Sequence, residues 1–443
     1  MKLCSKVFLA VVTAVATLAG SLRANDLTAS SGETVYFRGW QYKPDIVQSN
    51  TDRYNSRHNG HVDYQTVTGD YPSLMEKSLI AGDRLDMIYA NPSTAVRFME
   101  AGWILPADEL PAAEQARADM YPNVREAWTY KGKLLGLSYF LTIRGLTAVN
   151  TKRLRALGMN EKDYPGNWDE LYDQIDRLTR NGERDLYLPH WFNEYYGISW
   201  AFVWEVLNRG GTIADPDTHE PMLSVDGPAG ETLRDWKRLW KSGAVDEEVL
   251  SYTESSLVEG FSSGRYLYSS QASYNLAEFN NPQRSSLAGH VDVVPYDGAS
   301  WGLLDSALYL TTSRERGASL DRDVKRFVSW YGYKDDAGEI AVATRWMQTS
   351  MLFSAYRPVM ESEASREAME GFLGSEGMVQ SLLDLYAHTP HPNGVWNVVW
   401  SEELNSYLRK VLGNFLLKDQ PVADVVNGVS REIARLNEKY DIQ

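Results

Sequence analysis

Short strand candidates alternate with helix candidates between residues 35 and 100, and this alternation constrains the fold more than any other feature. Strand-like runs occur at Val35–Gly39, Val62–Val67 and Leu85–Ala90. Between the last two, Asp70-Tyr71-Pro72 and Gly82 supply residues that start and stop a helix. Strands that alternate with helices usually pair in parallel, so the pattern predicts an α/β fold.

The stretch Gly132–Leu171 predicts a change of course in the chain. Two apolar, strand-like runs flank a polar break at Thr142–Arg144, and a short helix ends at Gly158. Asn167 and Glu170 then form the pattern of a capping box, which opens a further helix. Beyond it the sequence is rich in helix patterns and has no repeats and no long Pro/Gly/Ser linker. We therefore expect lobes joined by several short crossovers.

The segment Met1–Ala24 has the three parts of a secretory signal peptide. Lys2 and Lys6 give a positive start, Val7–Ala19 is mostly apolar, and small residues follow. The apolar run is shorter than the about 20 residues that a membrane-spanning helix needs. Cys4 is the single cysteine and lies too early to be the lipid-bearing cysteine of a lipoprotein. We expect a periplasmic protein whose signal peptide is cleaved and whose mature chain has no disulfides.

The charge balance disfavours several function classes. The formal net charge is −15, and removal of three basic residues with the signal segment would make it −18. Such a charge disfavours nucleic acid and anionic membranes as partners. The pairs His58/His61 and His388/His391 have no third metal ligand in view, so we expect no metal and no cofactor. The mature length predicts two or three domains.

Several segments resemble, in the same order, the family 1 bacterial extracellular solute-binding proteins, the carbohydrate-binding branch of ABC importers. The segments are Tyr71–Ala81 with Asp86–Tyr89, Ala101–Pro106 ("AG.L.PL"), Gly132–Ser138 ("GK.YGLP"), Leu207–Ile213, Phe261–Leu267 ("F..GkaAM") and Leu404–Val426. The sequence departs from the family pattern at Leu135, Ser138 and Val149, where Tyr, Pro and Tyr are usual. Together the segments extend over most of the chain.

This resemblance implies a two-lobed periplasmic-binding-protein fold of type II. Each lobe would be a mostly parallel sheet flanked by helices, with the ligand cleft between the lobes at the carboxyl ends of strands. We place the crossovers near Leu141–Gly145, Pro295–Ser300 and Trp346–Ser350. The first lobe would comprise residues 25–143 and 298–346, and the second residues 144–297 and 347–443.

Polar and aromatic residues just past strand ends are the ligand-binding candidates. The set is Trp40, Tyr42, Asp70, Asn91, Arg144, Trp191, Glu194, Tyr195, Tyr274 and Trp301. Trp191, Glu194 and Tyr195 belong to the densest aromatic cluster, where the family places a sugar-stacking residue and a polar partner. Structural alternatives stay open: Asp70 can cap a helix, Arg144 can pair with an acidic neighbour, and the aromatic residues can pack in a core.

The resemblance implies a binding protein, and not an enzyme, that delivers a sugar or oligosaccharide to an ABC transporter permease. We expect it to work as a monomer. A non-sugar ligand is the first alternative: a polyamine, an opine-like amino acid derivative or an anionic solute. Arg144 and Arg357 in the cleft would favour an anion, whereas Asp70 and Glu194 without a nearby arginine would favour a cation or a neutral sugar. A secreted polysaccharide-active enzyme is the remote alternative, because a pair of acidic residues can form a glycosidase site.

Overall fold

A computed structural model describes residues 31–58, 61–295, 301–391 and 395–442. The strands are β1 (Val35–Trp40), β2 (Val62–Val67), β3 (Met87–Ala90), β4 (Ile104–Leu105), β5 (Thr129–Tyr130), β6 (Lys133–Leu134), β7 (Leu137–Asn150), β8 (Tyr187–Leu188), β9 (Tyr268–Ala272), β10 (Val291–Val293) and β11 (Leu303–Thr312). The predicted signal peptide, Cys4 and residues 296–300 of the second predicted crossover lie outside the described residues.

The helices dominate the second part of the chain. They are α1 (Pro44–His58), α2 (Tyr71–Ala81), α3 (Pro92–Glu100), α4 (Ala113–Asp119), α5 (Pro122–Ala127), α6 (Thr151–Ala156), α7 (Trp168–Arg180), α8 (Ile198–Asn208), α9 (Pro228–Ser242), α10 (Glu254–Ser262), α11 (Asn275–Phe279), α12 (Ala318–Gly332), α13 (Ala341–Ser350), α14 (Arg357–Met360), α15 (Glu363–Leu373), α16 (Glu376–His388), α17 (Ser401–Lys418) and α18 (Val422–Lys439). None of the helices in the described ranges is long and apolar enough to cross a membrane.

The main sheet is mixed. Its order is β2-β1-β3-β11-β7-β9-β8, with β4 beside β11 and β10 beside β7. The first three strands pair in parallel, as their alternation with helices predicts. The antiparallel pairs come from the two long strands, because β11 runs against β3 and β7, and β7 runs against β9. We call the part from β2 to β11 the first half of the sheet, and the part with β8, β9 and β10 the second half.

Strand β7 belongs to both halves. Residues Leu137–Arg144 pair with β11, and residues Arg144–Val149 pair with β9. The predicted polar break at Thr142–Arg144 therefore does not interrupt the strand; it lies where one continuous strand passes from the first half to the second. A register shift follows Arg144, at Gly145, whose φ of +95° and position against the ring of Trp204 leave no room for a side chain.

The third predicted crossover coincides with the end of a helix. Helix α13 ends at Ser350, and the chain then turns through Met351 in the left-handed conformation. Leu141 of β7 and Phe353 exchange backbone hydrogen bonds of 2.8 and 2.9 Å. The segment after α13 therefore runs beside β7 at the same level as the polar residues Thr142 and Arg144.

Local signals explain the helices that flank the cleft. Asp70 and Gly82 cap α2, with Gly82 in the left-handed conformation, and Asn91 caps α3 by accepting from the backbone N–H of Thr94 at 2.9 Å. Asn167 caps α7 by accepting from the backbone N–H of Glu170, but the Glu170 carboxylate accepts from the backbone N–H of Gly166, so only half of the predicted capping box forms. Helix α8 is buried on nearly all sides, between α9 and α17, which fixes the loop that precedes it.

Candidate ligand-binding cleft

A cleft of about 730 Å³ lies between the two halves of the sheet. The first half lines it with Trp40, Tyr42, Gly69, Asp70, Tyr71, Pro72, Asn91, Tyr139, Phe140, Asp305, Ser306 and Ala307. The second half adds Asn193, Glu194, Tyr195, Tyr196, Trp200, Glu254, Tyr274 and Arg409, and the connecting segments add Arg144 and Leu352. Its volume and its mixture of aromatic and polar walls are typical of a small-molecule site.

Aromatic rings of the first half form one wall. Trp40 is half-buried and packs on Tyr71, Tyr89 and Tyr139, with ring centroids 5.5, 5.0 and 5.6 Å away. The next aromatic residue, Tyr42, packs on Trp346, and burial raises the pKa of its hydroxyl to about 12. These rings are held by their neighbours, so their cleft-facing surfaces are rigid and suit stacking on another flat or C–H-rich surface.

The floor of the cleft is a cluster of polar residues around Arg144, and we name it the floor cluster. It comprises Arg144, Tyr196, Glu254, Tyr274 and Asp305. The guanidinium of Arg144 donates from Nε to Asp305 Oδ2 at 2.9 Å, from one terminal nitrogen to Glu254 Oε1 at 3.3 Å and from the other to the Tyr274 hydroxyl at 3.1 Å. It also lies 4.3 Å from the ring centre of Tyr196.

Opposite charges keep Arg144 and Glu254 of the floor cluster ionised although both are buried. Burial opposes the charge of Arg144, but Tyr274, Glu254 and Asp305 outweigh it and raise the pKa of the guanidinium. Burial also opposes the charge of Glu254, yet Arg144 and the Tyr274 hydroxyl, which donates to Oε1 at 2.6 Å, lower the pKa of that carboxyl. Arg144 is thus a structural ion-pair partner at the cleft floor. Arg357 lies elsewhere and donates to the carbonyl of Ala118.

A second polar cluster joins the two halves across the cleft, and we name it the junction cluster. It comprises Asn91, Ser93 and Thr94 from the first half and Tyr195 and Glu402 from the second. The Tyr195 hydroxyl donates to Glu402 Oε1 at 2.6 Å and accepts from Asn91 Nδ2 at 3.2 Å. Ser93 and Thr94 donate to the same carboxylate oxygen at 3.2 and 3.0 Å.

Two predicted carboxylates, Asp70 and Glu194, line the cleft, and each already accepts a hydrogen bond from the protein. Asp70 is exposed and caps α2, and its Oδ2 accepts from the Ser73 hydroxyl at 2.7 Å. Glu194 is half-buried, and its Oε2 accepts from the backbone N–H of Glu254 at the start of α10, at 3.0 Å. The positive end of that helix stabilises the Glu194 carboxylate.

Two candidates from the sequence lie away from the cleft, which corrects the prediction that they face it. Trp191 is fully buried and packs on Trp236 at 4.6 Å, so the first residue of the aromatic cluster belongs to the core under α9. Trp301 is equally buried and packs on Trp168 at the start of α7, with centroids 5.1 Å apart. Large apolar rings of this kind gain more from burial than from the exposed wall of a cleft.

Three charged residues and Tyr196 are among the cleft residues that the predicted set lacks. Asp305 lies within the apolar strand β11, where a buried acid signals a cationic partner. Tyr196 belongs to the aromatic cluster, but its position over Arg144 depends on the fold. Glu254 and Arg409 are the first residue of α10 and a residue within α17, and helical residues of these types carry no local sign of a ligand site.

Two arrangements that support catalysis, a metal site and a serine nucleophile, can be checked in the described residues. No group of His, Cys, Asp and Glu in the described part of the chain has the arrangement of a metal site. The run Gly260–Gly264 matches G-x-S-x-G, but Ser262 is the last residue of helix α10. A hydrolase nucleophile of that motif needs a strand-to-helix turn, which this position does not provide.

Comparisons with known proteins agree with this geometry. The fold is similar to that of MalE3 from T. maritima with bound maltose, at a TM-score of 0.72 and 14% identity over 91% of this chain and 99% of that one. It is also similar to a solute-binding protein from Thermotoga lettingae bound with α-D-tagatose, with 16% identity, a TM-score of 0.72, and 91% and 99% covered.

A third similar structure is the GacH receptor of Streptomyces glaucescens, solved with acarbose among other forms, with 17% identity, a TM-score of 0.71, and 91% and 98% covered. No curated sequence gives a significant match. A family model described as bacterial extracellular solute-binding protein matches residues 41–331. Since this match covers more than half of the chain, the protein belongs to the bacterial extracellular solute-binding proteins.

Proposed function

We propose that this protein is the substrate-binding component of an ABC importer that captures a sugar or oligosaccharide and delivers it to a membrane permease. The observation that carries the proposal is the cleft between the halves, which is lined by both fixed aromatic faces and hydrogen-bonding side chains. Sugar rings present apolar C–H faces and polar hydroxyl edges, and such a cleft suits both. Similar structures were solved with maltose, α-D-tagatose and acarbose, which supports this class of ligand.

The proposal includes the organisation that the sequence predicts. Residues 25–143 with 298–346 would form one lobe and residues 144–297 with 347–443 the other, and the lobes would close around the ligand by hinge motion at the crossovers. Met1–Ala24 would be a cleavable signal peptide, and the mature protein would act as a periplasmic monomer that is neither a lipoprotein nor an enzyme. The continuous strand β7 supports a hinge at Arg144 and Gly145.

Charges in the cleft favour a neutral ligand over an anion. Arg144 is already paired with Glu254 and Asp305, and Arg357 is not a cleft residue. The cleft walls carry four carboxylates and two guanidinium groups. An anionic solute would meet an excess of negative charge. The cleft therefore lacks the unpaired Arg144 and Arg357 that would favour an anionic ligand.

A thermal-shift screen of the mature chain, residues 25–443, tests the proposal. Maltose, α-D-tagatose, acarbose and xylobiose would represent sugars, with spermidine and octopine as non-sugar ligands. A ligand that binds only the folded protein raises Tm, by an amount that grows with the ratio of its concentration to Kd. We expect a neutral sugar to give the largest shift. A shift with spermidine or octopine and none with sugars would contradict the proposal, and product release from an oligosaccharide would show an enzyme instead.

A further inference from the structure

We propose that Arg409 is a specificity-determining residue that donates paired hydrogen bonds to adjacent hydroxyl oxygens of a neutral sugar. This inference rests on the proposed function and adds to it a residue outside the strand ends. Arg409 lies within α17 and lines the cleft from the second half. Its role follows from what surrounds the guanidinium, from the face of α17 that carries it, and from the charge of the cleft.

Arg409 has no partner among the described residues. Its Nε is buried without a hydrogen-bond acceptor, and the described part of the chain contains no ion pair with its guanidinium. The other arginine of the cleft, Arg144, makes hydrogen bonds to three side chains. A buried donor without an acceptor is unfavourable, and a bound molecule that supplies the acceptor removes that penalty.

The helix face that carries Arg409 follows the wall of the cleft. Glu402, Asn405 and Arg409 are spaced three and four residues apart, so they lie on one face of α17. Glu402 accepts from the Tyr195 hydroxyl, and Asn405 Nδ2 donates to the Tyr195 backbone carbonyl at 2.8 Å. Asn405 Oδ1 also accepts from the Ser199 hydroxyl. These bonds fix the helix against the loop of the second half and direct the next residue of the same face into the cleft.

Arg409 also lies at a distance from the junction cluster. With a rise of 1.5 Å per residue, its Cα is about 10 Å along the helix axis from that of Glu402. The face therefore begins with a residue that joins the two halves and ends with a free guanidinium further along the cleft wall.

The chemistry of a guanidinium fits adjacent oxygens. Its planar fork offers parallel N–H donors at a fixed spacing, which a single lysine ammonium does not reproduce. A carboxylate of an acidic sugar would also fit the fork, but it would share the cleft with Asp70 and Glu194, neither of which has a cationic side-chain partner among the described residues. Two neighbouring hydroxyl oxygens accept from the fork without adding negative charge.

Affinity measurements on matched variants test this assignment. The sugar of the thermal-shift screen that stabilises the wild-type protein most would be titrated calorimetrically into wild type, Arg409→Met, Arg409→Lys and Lys410→Met. Lys410 is the exposed neighbour on the same helix and serves as the control. We expect Arg409→Met to weaken binding about 10- to 100-fold, because it removes hydrogen bonds from a charged donor. Arg409→Lys should recover only part of the loss, and Lys410→Met should change nothing.

The unliganded variants separate a ligand role from a structural one. Since Arg409 has no partner among the described residues, Arg409→Met should melt at or above the wild-type temperature without sugar. Binding within twofold of wild type would overturn the assignment while leaving the proposed function intact, and a lower Tm with unchanged affinity would show a structural role. A higher affinity for D-glucuronate than for D-glucose would overturn the neutral class. A wild-type protein that no sugar stabilises would refute both proposals.

Discussion

The floor cluster and the junction cluster are both built on a tyrosine hydroxyl that donates to a glutamate at 2.6 Å, but only the floor cluster contains a cation. In the floor cluster, Tyr274 and Glu254 share their environment with Arg144. In the junction cluster, the side chains of Tyr195 and Glu402 bond, within the described ranges, to the hydroxyls of Ser93 and Thr94 and the amide of Asn91 and to no cation. The same pair of side chains thus occurs in a charged and in an uncharged setting.

The two clusters also differ in what they connect. In the floor cluster, Arg144 lies on β7, Asp305 lies on β11, and Glu254 is the first residue of α10. Strand β7 is continuous across both halves of the sheet, so it holds them together whether the cleft is open or closed. The junction cluster connects α3 to α17 through hydrogen bonds between side chains. A hinge motion would therefore preserve the floor cluster and break the junction cluster. The cation makes the first cluster expensive to disrupt, whereas neutral donors can be replaced by water.

Removal of the cation should have the largest effect. Arg144→Met would leave the carboxylates of Glu254 and Asp305 buried without their partner. We expect the free energy of unfolding to fall by about 3–5 kcal/mol, the usual cost of breaking a buried ion pair from one side. Urea unfolding of the ligand-free protein measures it. Arg144→Lys keeps a positive charge but loses the planar fork of donors. Its free energy of unfolding should lie between those of wild type and Arg144→Met.

The junction cluster supplies the control for that experiment. Asn91→Ala in the same assay removes one neutral amide and one helix cap and should cost about 1 kcal/mol. A loss for Arg144→Met no larger than this would contradict the distinction between the two clusters. It would mean that the floor carboxylates take up protons or water at little cost once Arg144 is gone.

A third tyrosine–glutamate pair shows what burial does without any cation in hydrogen-bond contact. Glu205 of α8 accepts from the Tyr172 hydroxyl at 2.7 Å and from Trp236 Nε1 at 2.8 Å, and no cation donates to it among the described residues. Burial raises the pKa of this carboxyl to about 8, whereas Arg144 holds that of Glu254 below its usual value. A proton on Glu205 thus removes the buried negative charge that, at Glu254, is compensated by the ion pair with Arg144.

The Glu205 carboxyl predicts a pH dependence of stability. Its folded-state pKa lies above the unfolded value, so its contribution is fully present below about pH 4.5 and is lost as pH rises through about 8. Glu205→Gln removes this loss because an amide does not ionise. The difference in free energy of unfolding between variant and wild type should rise by about 1.4 kcal/mol per pH unit across that window.

Glu254→Gln is the counterpart with the opposite sign. The folded-state pKa of Glu254 is lowered, so its charge stabilises the protein above its unfolded pKa, and this contribution is lost as pH falls. At pH 7 this variant should be less stable than wild type. Denaturant unfolding at intervals from pH 5 to 8 measures both variants. A flat difference curve for Glu205→Gln would mean that the carboxyl is ionised in the folded protein.

Much of the fold follows from short-range patterns in the sequence. The alternation up to residue 100 predicts β1, β2, β3 and the helices between them, because caps such as Asp70, Gly82 and Asn91 act within one turn. The course of strand β7 is harder to predict from the sequence. Thr142 and Arg144 interrupt its apolar pattern, and only the pairing with β11 and β9 shows that polar residues there are buried against partners from other segments.

The cleft was predicted best where it follows strand ends. Eight of the ten candidate residues line it, and the two that do not are tryptophans whose burial depends on α7 and α9. The contribution of α10 and α17 was missed because a helical Glu254 or Arg409 has the same local sequence signature as a solvated residue. Long-range packing decides which helix face meets a cleft, and a single sequence contains no record of it.

The smallest effect should come from the carboxylate of the junction cluster, and it should be seen in conformation more than in stability. Glu402→Ala removes the acceptor of three hydroxyls but leaves Asn91 and Tyr195 in contact with each other. If the lobes open and close as proposed, loss of these neutral bonds would favour the open form by about 1 kcal/mol and weaken ligand binding about fivefold.

Dyes on cysteines at the exposed residues Ile80 and Leu417, one in each half, would report a longer distance without ligand. Tyr195→Phe should reproduce this change, because it deletes the hydroxyl that Glu402 and Asn91 share. Equal distances in wild type and in both variants would show that the junction cluster does not hold the halves together.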